Sequence, residues 1–107
     1  MKTDVFVYHV DVRKNHAYFK GHFPTFPVFP AIGQLALLQH AIEAYHEKEC
    51  EIIALPMAKF LQPIVPDIHL VIELHIEGHG CMSFIMTSEQ QTFAKGKLCY
   101  RMKYNGS

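Results

Sequence analysis

Residues 19 to 30 read Phe19-Lys20-Gly21-His22-Phe23-Pro24-Thr25-Phe26-Pro27-Val28-Phe29-Pro30, and an apolar segment with helical spacing follows at once. An imidazole titrates near neutrality, so His22 can take a proton from a carbon acid at physiological pH. The prolines restrict the turn around it. A helix start leaves N–H groups without intrahelical partners, and these can polarise a carbonyl oxygen or hold an anion. Base and oxyanion donors side by side are what proton abstraction next to a carbonyl requires. Phe23, Phe26, Phe29, Met57 and Phe60 offer apolar walls for a substrate. Core packing explains most residues of this kind, so only Phe23 and Phe29 are taken as substrate contacts.

The elements that must position this turn follow from periodicity. Phe6, Tyr8, Val10 and Val12 alternate with Val7, His9, Asp11 and Arg13, which predicts a first strand covered at least partly on both faces. From Ala31 to about Glu47, Ile32, Leu35, Leu38 and Ile42 recur at spacings of three and four behind Pro30, which predicts a helix. Gln39, His40, Glu43, His46 and Glu47 give its second half a polar face, so the helix should be buried at its start and wet at its end. A strand is expected between Ile52 and Pro63, broken near Pro56. Ile68 to Glu77 alternates strictly, Gly78 to Gly80 reads as a turn, and Met82, Phe84 and Met86 oppose Ser83, Ile85 and Thr87. A last strand runs from Ala94 to Tyr104. One helix among antiparallel strands is an α+β sheet wrapped round a helix, and residues 1–107 read as a single domain.

Composition narrows the function. The chain has 107 residues, half of them hydrophobic, and a formal charge of +0, so no electrostatic case for nucleic acid exists. It has no apolar run of about 18 residues and no basic start leading into a short apolar segment, which predicts neither a membrane span nor a signal peptide. Cys50, Cys81 and Cys99 lack a Cys-x-x-Cys spacing and are expected to be reduced thiols in the cytoplasm. His69, His75 and His79 share strand parity with Glu73 and Glu77, but no tetrahedral ligand spacing emerges, so a solvated face is expected and no metal. Lys95, Lys97, Arg101 and Lys103 line one face of the last strand, either as a solubilising edge or as a patch for an acidic carrier protein.

The segment Gly21-His22-Phe23-Pro24-x-x-Pro27-Val28-x-Pro30 with its following helix resembles the active-site motif of the hot-dog-fold 3-hydroxyacyl-(acyl carrier protein) dehydratases of fatty acid synthesis. Gln34-Leu35 and Lys59-Phe60-Leu61-Gln62-Pro63 are most similar to the small dehydratase-like proteins of aryl-polyene pigment pathways. The resemblance implies a dimer whose strands pair into one sheet, His22 as the base, the Ala31 backbone N–H as oxyanion donor and Gln34 as a substrate-orienting group. It implies no metal or redox cofactor, only the phosphopantetheine carried by the acyl carrier protein that brings the substrate. The family supplies the leaving hydroxyl with a proton from Glu or Asp fourteen positions after the histidine. This chain has Ala36 there, and the next helical carboxylate, Glu43, stands about 10 Å further along the axis at 1.5 Å per residue.

The implied function is elimination of water from a 3-hydroxyacyl thioester, in a homodimer or with a related chain that supplies the acid. Two alternatives stay open: a non-catalytic acyl-binding or heterodimer subunit, and an acyl thioesterase of the same fold.

Overall fold

The computed structural model describes residues 4–13, 31–64 and 67–103. Along the chain these form β1 (Asp4–Val12), α1 (Ala31–His46), β2 (Cys50–Phe60), β3 (Ile68–Gly78), β4 (Cys81–Ser88) and β5 (Gln91–Met102). The strands make one antiparallel sheet in the order β1-β3-β4-β5-β2, leaving β1 and β2 as its two edges. Five strands round one helix is the α+β architecture expected from the periodicities.

Alternation decides which side of each strand meets the helix. Leu70, Ile72 and Leu74 of β3, Met82, Phe84 and Met86 of β4, and Ala94 and Leu98 of β5 all turn inward and are buried. Leu37, Leu38, Ala41 and Ile42 of α1 complete this core from above, together with Val12, Cys50 and Ile64. Burying a side chain of this size stabilises by roughly 1.5–3 kcal/mol, which is why the helix lies on the sheet rather than beside it. Edge contact between Phe6 and Tyr45, with ring centroids 5.4 Å apart, fastens β1 to the helix end.

Turn chemistry sets the registers. His79 and Gly80 both have positive φ, 57° and 76°, the backbone of a tight hairpin whose twist matches the strands it joins. Glu47, at φ 55°, ends α1 in the left-handed conformation that terminates many helices. Gly96 serves a different need. A methyl group there would run into the Met57 carbonyl and lie 2.9 Å from the Ala58 Cα, so β5 and β2 can approach only over a glycine.

Three expectations are corrected. Strand β2 is not broken at Pro56; it runs through, and the missing donor is absorbed by register shifts between Ile52 and Met57 on an edge strand. The helix end is not simply wet. Glu43 accepts the Cys50 N–H at 2.9 Å, and His46 Nε2 and the Tyr100 hydroxyl share a hydrogen bond at 2.6 Å, because the end of α1 packs over the β2–β5 pair. Burial holds His46 below the ordinary histidine range and Tyr100 above the ordinary tyrosine range. Finally, Cys81 and Cys99 are not separate thiols. The β4–β5 register sets them opposite each other with Cα atoms 4.1 Å apart, and they form a disulfide. Cys50 remains free and buried, its thiol pushed up by desolvation and by the Glu43 carboxylate.

Candidate active site

Helix α1 begins at Ala31, so the Ala31 N–H belongs to the first four that an α-helix leaves without an intrahelical acceptor. Its two long faces do different work. Gln34, Leu37, Leu38, Ala41 and Ile42 are buried, forming the stripe that meets the sheet. Leu35, Ala36, Gln39 and His40 instead line a groove of about 590 Å³, whose other wall is Ile52, Ile53, Ala54 and Leu55 of β2. The position where the resembling family carries its acid is therefore a methyl group on the wall of an open groove, not a packed core site.

Gln34 breaks the rule of its own stripe. It is only 4% exposed, and among the described residues its Oε1 has no hydrogen-bond partner. Burying an amide oxygen unpaired costs on the order of 1–3 kcal/mol. An amide oxygen one turn from the helix start can accept a further donor.

The groove's outer wall is also the sheet's open edge. Ile53, Leu55, Met57 and Phe60 of β2, with Leu61 just beyond it, are large apolar side chains in solvent, Ile53 at 54% exposure. Met57 and Phe60, considered above as tunnel walls, thus stand on the exposed edge of a single chain. His22, Phe23 and Phe29 lie outside the described residues.

The cation stripe on β5 is partly spent. Lys97 meets Glu77 at 3.0 Å, and Arg101 pairs with Glu51. Among the described residues no three or more His, Cys, Asp or Glu side chains are arranged to ligate one metal ion together. His75 and Glu73 form a simple pair at 3.3 Å. No described helix is long and apolar enough to cross a membrane. Sequence reasoning did not anticipate the roles of Glu43, His46 and Tyr100, or the contact between His9, His69 and Asp11. Each needs a partner more than 50 positions away or across a turn, which periodicity does not encode.

A five-stranded antiparallel sheet in this order, curled against a single long helix with a groove between helix and edge strand, is a hot-dog fold. The structure of the dehydratase heterocomplex ApeI:P from Xenorhabdus doucetiae matches it with TM-score 0.79 at 21% identity, covering 90% of this chain and 86% of that one. The fluoroacetyl-CoA thioesterase FlK shares the fold at TM-score 0.66 and 13% identity, covering 95% of this chain and 89% of that one. Within the fold the sequence is more specific. The family model for ApeI dehydratase matches residues 1–97, and the chain belongs to the ApeI-like family. It is also similar to 3-hydroxyacyl-[acyl-carrier-protein] dehydratases FabZ. That of Solibacter usitatus is 36% identical over 84 residues, 71% of this chain and 52% of the relative. That of Pasteurella multocida is 29% identical over 100 residues, 82% of this chain and 66% of the relative. The chain thus spans about half to two thirds of the length of these relatives.

Proposed function

We propose that this protein is a hydro-lyase subunit that removes water from 3-hydroxyacyl thioesters carried by an acyl carrier protein, using an acid supplied by a related partner chain. The observation that carries this reading is Ala36. It lies on the groove wall that opens toward the exposed β2 edge, where a second chain would extend the sheet. His22 takes the proton from the carbon beside the thioester carbonyl. The Ala31 N–H receives the charge that develops on the carbonyl oxygen. Gln34 accepts a donor from the substrate arm, and Phe23 and Phe29 contact its acyl part. The C–O bond to the hydroxyl then breaks, and the partner's carboxylic acid delivers the proton that turns hydroxide into water.

No metal or redox step enters this sequence, and phosphopantetheine arrives on the carrier. The proposed location is the cytoplasm, a reducing compartment in which the Cys81–Cys99 disulfide would be open to reduction. Similarity to a protein described as a dehydratase heterocomplex favours a related dehydratase chain as the partner. A thioesterase reading is weaker, because activating water also wants a base or carboxylate at the helix, and Ala36 supplies neither. A purely structural subunit is the second reading that Ala36 itself favours.

Mass spectrometry of a 3-hydroxyacyl carrier protein incubated with the purified chain, alone and with a related acid-bearing dehydratase, separates these readings. Loss of water only in the mixture, abolished by His22→Ala in this chain, supports the proposal. Loss of water by the chain alone refutes the partner acid. Release of free acid points to the thioesterase, and turnover in the mixture that survives His22→Ala points to the structural subunit.

A further inference from the structure

On the outer face of the sheet, away from the helix and the groove, three side chains of β1 and β3 form a chain of contacts. Asp11 stands directly opposite His69 in the register, and His9, two positions before Asp11, reaches His69 along the diagonal. His69 Nδ1 lies 2.7 Å from Asp11 Oδ1, and His69 Nε2 lies 3.0 Å from His9 Nδ1. With His69 neutral, its Nδ1–H donates to the carboxylate, which leaves its Nε2 to accept the Nδ1–H of His9. Asp11 Oδ2 is occupied as well, by Arg13 Nη2 at 3.5 Å. The His69 contact, ahead of a small opposing desolvation, holds the Asp11 carboxyl below its ordinary range.

We propose that His9 Nδ1 and His69 Nε2 form a chelate for a late first-row divalent transition-metal ion, with Asp11 as the outer carboxylate that orients His69. The geometry is the argument. Metal–imidazole bonds of about 2.0–2.1 Å place two nitrogens about 3.4 Å apart at a tetrahedral angle and about 2.9 Å apart at a right angle. The observed 3.0 Å lies between these. A modest rotation of each ring, now tilted 31° to one another, turns both lone pairs from each other toward a common point in solvent. A carboxylate behind the second nitrogen of a ligating histidine is the arrangement that fixes the tautomer and raises the ligand's basicity.

Metal entry replaces the proton shared between the rings. His9 then carries that proton on its own Nε2, so metal entry is a change of tautomer in which no proton leaves the ring. His69 and Asp11 are about half exposed, so water can complete the coordination shell. Nearby charges are Arg13, which is paired with Asp11, and Asp67, which lines the same shallow recess. Nitrogen donors favour nickel, copper and zinc over magnesium or calcium.

The test is calorimetric titration of untagged, reduced protein with Ni²⁺, Zn²⁺ and, as a control, Mg²⁺, on wild type and on His9→Gln, His69→Gln, Asp11→Ala and His75→Gln. These are exposed or half-exposed positions, and thermal melts confirm that each variant is folded. One Ni²⁺ or Zn²⁺ per chain is expected, lost in both His9→Gln and His69→Gln and unchanged in His75→Gln. Asp11→Ala should weaken it about 10- to 100-fold, the usual effect of removing such a carboxylate. Binding should weaken on acidification, because protons compete with the metal for its nitrogen ligands. Absence of saturable binding, or binding that survives either histidine substitution, overturns the site. Unchanged affinity in Asp11→Ala overturns the orienting role.

Discussion

Replacing Gln34 with methionine should make the protein more stable and less active. Methionine keeps the unbranched shape, close to the same volume and a similar helix propensity, so the helix backbone is retained. What changes is the amide. Its Oε1 is buried without a partner among the described residues, a state that costs about 1–3 kcal/mol. Any bond made by the amide nitrogen is lost at the same time, at about 0.5–1.5 kcal/mol. The difference is a net gain of about 1 kcal/mol. For a domain of this size that raises Tm by about 4–8 °C, measured by calorimetry at matched protein concentration because an assembling chain melts at a concentration-dependent temperature. If the oxygen is kept unpaired in order to receive a donor from the substrate arm, the same variant loses one hydrogen bond in the complex, and kcat/KM in the partnered enzyme falls about 5- to 10-fold. A lower Tm would refute the reasoning at its root, since it would mean the amide is satisfied in the native state. A higher Tm with unchanged kcat/KM would leave Gln34 a packing defect with no part in binding.

Two other perturbations probe separate parts of the molecule. Ala36→Glu places a carboxylic acid on the groove wall beside Gln39 and His40; dehydratase turnover of the homo-oligomer should rise, toward the factor of roughly 10² to 10⁴ that a positioned general acid typically contributes. Unchanged turnover in a folded variant would show that the groove does not place this position near the reacting hydroxyl. Acidification tests His46. Burial holds its folded pKa below the ordinary histidine value of about 6.5, so as pH falls through that value the unfolded chain takes up a proton that the folded one refuses. Stability is therefore full above the unfolded pKa and declines as pH falls below it. Thermal melts across this range should show a smaller decline in His46→Gln than in the wild type; an equal decline would assign the effect to other histidines.

The helix and the inner strands were legible because burial imposes a period. Leu38 and Ile42 repeat at helical spacing and are fully buried, and Met82, Phe84 and Met86 alternate as the sheet requires. The proline frame marks His22 as a candidate outside the described residues, and Ala36 stands out only against the pattern of the family the chain resembles. What escaped depended on register or on polar residues in unexpected company. Cys81 faces Cys99 only because the β4–β5 hairpin pairs as it does, with a shift between Met86 and Thr87. Glu43 and His46 carry types that belong in water, yet the end of the helix lies where Cys50 and Tyr100 can use them. Pro56 signalled an interruption, and the sheet answered with an irregular edge instead of an end.

The apolar edge of β2 also has a bearing on how the cell handles this chain. Ile53, Leu55, Met57, Phe60 and Leu61 in solvent, on a strand that is an edge of the sheet among the described residues, are the features that quality-control proteases and chaperones recognise and that drive strands of different molecules together. A newly made copy is therefore in a race between assembly and removal. Its steady-state amount should be set less by its own rate of synthesis than by the supply of whatever chain covers that edge, so that depleting the partner depletes this protein too.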